Sequence, residues 1–535
     1  MKFSSDHYRR GVVCAFFSLL LCVGLWLYKD YGISADEPNN HLNGLVQIKY
    51  VAQLIAPALV ERQASASQIP NIRAFADADH GPAFEIPLAL LSLVFTHGDA
   101  RAFYWLRHLC TFLLFVAGTY ALYRLVTWRL QSWRWGLLAA TLLILSPRFF
   151  GEAFYNGKDI VFLALFTISV FSLLHLALRP NVPRTLLHAF STACAVDVRV
   201  HGVLLVLLSL LLLVGAVGLN GRFWRIAGLY VGATCGLVVL GWPYLWAHSS
   251  AELWQAAARA SHYPWQGAVL YLGHVYRLPA ERLPWHYVVG WIAVTTPIFY
   301  TVAALAGVGL NIYTLLNRRA FSLQRYFDLV VLLWLIGPLG FVIVRHSSVY
   351  NGWRHLYFVY PAFLLLATRT IYVVWAAARG QSNFRLLARL CLLTGALEAG
   401  HTLWYLITAH PFQYTYFSFL PPQKAEQLFE IDYWGLSYRQ GLQWIVDHDP
   451  SPQITISGNA GYIDHNLLLL DPAQRARLHY IGNPRDAEGP TDARYFLSAY
   501  YYYGGHRQHY PDSLGQEVHT IRANGLRVLS VFRHK

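Results

Sequence analysis

Tyr31-Gly-Ile-Ser-Ala-Asp-Glu-Pro-Asn-Asn40 follows the first long apolar run of the chain, Gly11 to Tyr28, which carries no charged residue. At 1.5 Å per residue that run is about 27 Å long, enough to cross the hydrocarbon core of a bilayer. Lys2, Arg9 and Arg10 precede it. Positive charge stays on the cytoplasmic side, so Asp36 and Glu37 are expected on the outer side. A carboxylate pair at the water–lipid boundary, followed by Pro38, reads either as a general base or as an ordinary polar loop after a helix. A secretory signal cleaved after Ile33-Ser34-Ala35 is the rival to a span, but the apolar run is long for a signal core.

Composition marks the chain as a polytopic membrane protein. Of 535 residues, 56% are hydrophobic and only 13% charged, and the mean hydropathy is +0.35. A soluble protein carries about twice that charge fraction. The net charge of +14 would suit a nucleic-acid binder, but its placement excludes that class. The basic residues sit in short gaps between apolar runs: Arg124, Arg129 and Arg134; Arg179 and Arg184; Arg379, Arg385 and Arg389. The alternate gaps hold the acids, so the charge encodes topology. The six cysteines all lie in apolar runs and give neither a disulfide framework nor a zinc spacing. There is no Asn-x-Ser/Thr sequon, and a bacterial inner membrane fits best.

The hydropathy pattern predicts about eleven spans. The first outer loop, 29–102, is long and contains near-helical apolar spacing from Leu42 to Ile55, which suggests helices lying on the membrane surface. It contains the turn signal Asp79-His80-Gly81-Pro82. The second span is expected at about Phe103 to Leu125, the third at Trp135 to Leu145 and the fourth at Ile160 to Leu178. Between the third and fourth, Ser146 to Asp159 falls on the same face as Asp36 and supplies Arg148, Lys158 and Asp159. Residues 184–218 are about 52 Å long as a helix, too long for one crossing, and contain Asp197, Arg199 and His201-Gly202. A hairpin with its tip at Arg199-Val-His-Gly202 accounts for both facts, because an ion at the bilayer centre costs roughly 2.5–3.5 kcal/mol. A structural Asp197–Arg199 pair is the other reading. Later spans are expected at Ile226 to Trp246, Tyr287 to Leu310, Leu329 to Val344, Leu356 to Ala378 and Leu386 to Ala409. Arg345 to His355 is a basic loop on the outer face, against the local charge rule, and that departure marks it as functional. From 410 the composition changes. Residues 410–535 mix a helix at Tyr438 to Val446 with strands at Gln453 to Gly458, Ala493 to Ser498 and Leu526 to Phe532. The chain therefore divides into an all-α polytopic domain, 1–409, and a small outer α/β domain, 410–535, periplasmic in a bacterium.

The order of one span, Asp36-Glu37, surface helices and an acid–base–x–Pro turn resembles the C-type membrane glycosyltransferases that use polyprenyl-phosphate sugars. Within them it is most similar to the group of protein O-mannosyltransferases and aminoarabinose–lipid A transferases, over roughly residues 10–410. Asp36-Glu37 matches the acidic pair of that family's first outer loop. Asp79-His80-Gly81-Pro82 is similar to its Glu/Asp–Lys/His–Pro–Pro turn, with Gly81 in place of the first proline. Tyr155-Asn-Gly-Lys-Asp159 occupies the place of its second outer-loop acid. Asn351-Gly-Trp-Arg-His355 and Ile431 to Tyr438 look like motifs of uncharacterised bacterial members. The resemblance implies an inverting transfer of a sugar from a polyprenyl-phosphate donor to an acceptor hydroxyl on a lipid, glycan or protein.

The residues agree with that chemistry on their own terms. A lipid-phosphate sugar is an anion anchored at the bilayer surface. Its transfer needs a carboxylate to take the acceptor proton and cations to hold the departing phosphate. Asp36, with Glu37 as its neighbour and Asp159 as second acid, supplies the first. His80, Arg148, Lys158, Arg199, His201, Arg345, Arg354 and His355 supply the second. If a divalent cation takes part, Asp36 and Asp159 would hold it; no other cofactor is implied. A transporter or flippase for a lipid-linked glycan is the alternative from another class, but no inverted repeat or matched pair of broken spans is present. A catalytically inactive assembly protein is the third reading.

Overall fold

The computed structural model describes residues 2–252, 255, 265, 267–317, 322–347, 349–458, 462–482, 493–499 and 515–534. Among them, nine helices are long and apolar enough to cross a membrane. The first is α1 (Lys2–Leu27), a peripheral helix whose Leu19, Leu25 and Trp26 are exposed, as lipid-facing residues are. The bent pair α6 (Trp133–Ile144) and α7 (Pro147–Tyr155) makes a tenth span if counted as one. The helix α9 (Val182–Val196), at 15 residues, is short for a full span. It closes a hairpin with α10 (Leu204–Val217), and counting it brings the number to the expected eleven. The chain is a multi-pass membrane protein.

The centre of the bundle is α5 (Ala100–Leu130) packed on α8 (Asp159–Leu178). The two backbones meet at Gly118, where an added Cβ would lie 2.8 Å from the Ala164 Cβ. Small residues at such a crossing allow the close approach on which membrane helix packing rests. The α6–α7 pair bends by 72° at Leu145-Ser146, just before Pro147. All of α7 is buried, so this turn runs into protein rather than lipid. The expected hairpin in 184–218 is present, with its tip at Arg199 to Gly202 leading into α10.

The single crossing expected at Tyr287 to Leu310 is instead broken into helices Tyr287–Thr295 and Ile298–Asn317. The break falls at Thr296-Pro297, where Thr296 is extended (φ −106°, ψ 140°). Proline disfavours helical geometry in the residue before it, which accounts for the break. The outer loop before it holds a two-stranded hairpin, β1 (Gly267–Tyr271) and β2 (His274–Leu278), that the sequence reading did not contain. Its turn places Leu272 and Gly273 at positive φ.

The first outer loop carries three helices: α2 (Glu37–Ile55), the single-turn α3 (Pro57–Arg62) and α4 (Glu85–Phe95). Leu54 and Ile55 on α2 and Leu93 and Phe95 on α4 are exposed, as expected for helices resting on a lipid surface. At the C-terminal end a five-stranded sheet has the order β4-β3-β5-β7-β6. Its strands are β3 (Ile454–Gly458), β4 (Leu478–Tyr480), β5 (Tyr495–Ala499), β6 (Gln516–Ala523) and β7 (Leu526–Arg533). β3 pairs in parallel with β4 and β5, and the remaining pairs are antiparallel. The separate hydrophobic core of this unit includes Tyr438, Leu442, Ile456, Leu497 and Leu529. Phe412, Tyr414, Trp434 and Leu436 pack in the core of the helical bundle.

Candidate active site

Four separated stretches meet at one end of the bundle: the loop before α2, the start of α8, the α9–α10 tip and the Arg354 turn. Asp36 immediately precedes α2 and remains 36% exposed at its side chain, accepting a hydrogen bond from Arg354 Nη1. Burial alone would raise its pKa. The charges of Arg354, then Lys158 and Arg199, outweigh that and hold the carboxyl below the usual range. Asp36 is therefore ionised at neutral pH.

Asp159 opens α8 and is buried. Asn156 shapes this turn: its Oδ1 accepts the Asp159 N–H at 2.8 Å, and its Nδ2 donates to Asp159 Oδ2 at 3.1 Å. Arg199 reaches over from the hairpin tip and donates to Asp159 Oδ1. Arg354 Nη1 lies 3.8 Å from Asp159 Oδ2. The expected outer-face convergence thus includes an alternating set, Asp36–Arg354–Asp159–Arg199, and Asp197 takes no part in it. Its carboxyl is buried and pushed up to about 8, while its backbone oxygen accepts the Ala83 N–H at 3.2 Å. The alternative Asp197–Arg199 pair is not formed. An added Cβ on Gly81 would lie 1.9 Å from that same Asp197 oxygen. Only glycine fits there, which explains the departure from proline at this turn.

Lys158 is half-buried beside both carboxylates. Among the described residues its ammonium makes no hydrogen bond or ion pair. Burial first, then Arg199, brings its pKa down to about 8 against the opposing pull of Asp36 and Asp159. It lines a small cleft with Asn40, Asn43, His80 and Gly157. His80 faces the same cleft, but the Lys158 charge, followed by burial, holds its pKa well below the imidazole range. It serves as a neutral hydrogen-bonding group rather than the cation expected. Asp77 sits at the rim, 3.6 Å from the His80 ring. His201 is exposed at the hairpin tip. His355 packs edge-on to Tyr350 at 4.8 Å, with Nδ1 buried and unbonded among the described residues. Arg354 lies over the Trp434 ring at 4.6 Å, which fixes its plane.

Three expected site residues lie elsewhere. Glu37 is fully buried and faces the bundle. Its Oε2 accepts the Ser34 N–H at 2.7 Å, and its Oε1 is 3.4 Å from Arg107 Nε and 3.2 Å from His108 Nε2. It cannot touch a substrate in this arrangement. Arg148 is buried on α7, donating to the Tyr433 hydroxyl at 2.9 Å. Arg345 is exposed in the last turn of helix Leu323–Arg345, where a cation suits the helix dipole, and among the described residues it makes no ion pair with the cluster. The sequence reading missed Arg107 and Glu85, joined by two bonds of 2.6 and 2.7 Å, and Asn156 and Glu152, joined at 2.7 Å. Asp36 and Asp159, the pair expected to hold a divalent cation if one takes part, each have an arginine partner. Among the described residues there is no group of three or more His, Cys, Asp or Glu that could hold a metal ion.

No protein-family model matches the sequence, and no curated protein matches it. Two solved structures of ArnT from Cupriavidus metallidurans are similar along nearly their whole length. The one bound to undecaprenyl phosphate has a TM-score of 0.52 at 14% identity, covering 97% of this chain and 98% of that one. The apo state has a TM-score of 0.50 at 13% identity, with the same coverage. From the first span to the C-terminal sheet, this chain has the fold of those ArnT structures.

Proposed function

We propose that the protein is an inverting membrane glycosyltransferase that moves a sugar from a polyprenyl-phosphate donor to an acceptor hydroxyl on the outer face of a bacterial inner membrane. The observation that carries this reading is the unpaired Lys158 ammonium beside the Asp36–Arg354–Asp159–Arg199 set. Two carboxylates, two guanidinium groups and one ammonium leave a net charge of +1 at neutral pH. That balance suits a phosphodiester, which carries one negative charge. The likeness to a structure bound to undecaprenyl phosphate supports the same donor class.

In this mechanism Lys158 and the two arginines bind the donor phosphate at the membrane surface. Asp36 accepts the proton of the acceptor hydroxyl. The acceptor oxygen forms a bond to the anomeric carbon from the face opposite the phosphate, and the bond from that carbon to the phosphate oxygen breaks. The configuration inverts, and polyprenyl phosphate leaves as a dianion. The second negative charge develops among Lys158, Arg199 and Arg354, where fixed cations stabilise the transition state more than the ground state. Asp159 holds both arginines in place. The test is incubation of the purified protein with radiolabelled undecaprenyl-phosphate mannose, glucose and aminoarabinose in a bacterial membrane extract. Transfer of label to lipid, glycan or protein, with release of undecaprenyl phosphate, is the expected result. Failure of every donor with folded protein would overturn the reading.

A further inference from the structure

The backbone that carries Asp36 is held from a point more than four hundred residues away. Ile33 and Ser34 are buried, and an unpaired backbone group there would be costly. Asn466, fully buried in the short helix Ile463–Leu467, supplies both partners of Ile33. Its Oδ1 accepts the Ile33 N–H at 2.9 Å, and its Nδ2 donates to the Ile33 carbonyl at 3.1 Å. The same Nδ2 reaches the Gly435 carbonyl at 3.3 Å and the Tyr462 carbonyl at 2.9 Å. On either side, the Ala35 N–H donates to the Trp434 carbonyl at 2.9 Å, and Arg439 Nη1 donates to the Tyr31 carbonyl at 2.9 Å. The fit is close: a Cβ on Gly32 would lie 2.4 Å from the Leu436 carbonyl oxygen. Trp434 also stacks on Arg354, the partner of Asp36. Trp434 therefore contacts both the carboxylate-bearing loop and the guanidinium it faces, and Asn466 holds the same loop.

We propose that Asn466 is a positioning residue: its carboxamide fixes the Tyr31–Ala35 backbone so that Asp36 meets Arg354 beside Asp159. The C-terminal unit thus completes the active site. This rests on the reading of Asp36 as the base. A misplacement of about 1 Å can cost on the order of a hundredfold in rate, so the clamp acts on turnover.

Asn466→Asp is the informative variant, since it is nearly isosteric, keeps the acceptor for Ile33 and loses the donors. It is measured in the full-length protein with the undecaprenyl-phosphate sugar panel, correcting the rate for folded fraction. The expected result is a kcat lowered on the order of tenfold to a hundredfold with donor KM nearly unchanged. Hydrogen exchange should report lost protection of the Ala35 amide, whose acceptor Trp434 adjoins the released Gly435 carbonyl, while Ile33 keeps its acceptor. Arg439→Gln removes a bond at the edge of the same clamp. It should give a smaller kcat loss of the same kind, which keeps the test open if Asn466→Asp does not fold. Wild-type kcat in a folded Asn466→Asp protein whose Ala35 amide has lost protection would overturn the proposal. Asp36→Asn run alongside separates the two levels. If Asp36→Asn is slow while Asn466→Asp and Arg439→Gln turn over at the wild-type rate, the clamp alone is refuted. If Asp36→Asn turns over at the wild-type rate, the base assignment fails and the clamp with it.

Discussion

Lys158 connects the charge balance of the site to a measurable pH dependence. Its pKa is brought down to about 8 by burial and by Arg199. The ammonium is present below that value and is lost as pH rises through it. A phosphate captured by a protonated Lys158 is therefore captured less well in alkali, and kcat/KM for the donor should fall about tenfold per unit above pH 8. Asp36 is held below the usual carboxylate range and His80 well below the imidazole range, so neither titrates in that window. The profile should be flat from about pH 5 to 7. Because bound phosphate favours the charged lysine, kcat at saturating donor should show the alkaline limb shifted upward. Lys158→Met keeps the aliphatic stem and removes the charge. A charged hydrogen bond contributes about 1.5–3 kcal/mol, so the donor KM should rise on the order of tenfold to a hundredfold. The limb near pH 8 should vanish with it. A limb that persists in Lys158→Met, or a wild-type profile flat from pH 6 to beyond about 9.5, would refute the assignment.

Asp36→Asn preserves shape and removes basicity, and should lower kcat by about 10²–10⁴-fold while donor KM and expression stay near wild type, as read in the radiolabel assay. Arg107→Met leaves Glu85 and Glu37 buried without their shared cation, and should destabilise by about 3–5 kcal/mol, seen as a lowered unfolding midpoint in detergent. For topology, a membrane-impermeant maleimide should label Arg522→Cys, an exposed site in β6, from the outer side, and Ser382→Cys, in the gap before the last span, only after the membrane is opened.

The span pattern was legible because lipid imposes long apolar helices with few charges and sorts the gaps by sign. The hairpin at Arg199 was legible for the same reason: its charges could not sit at mid-bilayer, and the structure pairs Arg199 with Asp159. Arg107-His108 in the second span carried an equally strong signal, since an ionised residue inside an apolar helix implies a buried partner. The sequence could not name that partner, because Glu85 lies in another helix and the pairing depends on how α4 meets α5. The β1–β2 hairpin was invisible because its turn uses Leu272-Gly273 rather than Asn-Gly or Asp-Gly. By contrast, Asn524-Gly525 joins β6 to β7 in the turn those residues favour. Arg148 and Lys158 read alike as cations of one outer loop. A bend of 72° before α7 buries the first against Tyr433 and leaves the second at the cleft.

The same limit governs the acidic pair, and it yields a test. Residues one apart at the start of a helix do not share a face. Asp36 and Glu37 therefore cannot both serve one substrate, whatever their adjacency suggests. Asp36 turns to Arg354, near Lys158 and Arg199, while Glu37 turns into the bundle and meets Arg107 and His108. Glu37 also receives the Ser34 N–H, which ties the loop to the first turn of α2. We propose that it anchors that loop. Glu37→Gln keeps an acceptor for Ser34 but removes the charge facing Arg107, which retains Glu85. The expected outcome is a lowered unfolding midpoint with kcat per folded molecule within a fewfold of wild type, far above that of Asp36→Asn. If Glu37→Gln instead matched the kcat loss of Asp36→Asn at wild-type stability, Glu37 would belong to the chemistry and the division of the pair would be wrong.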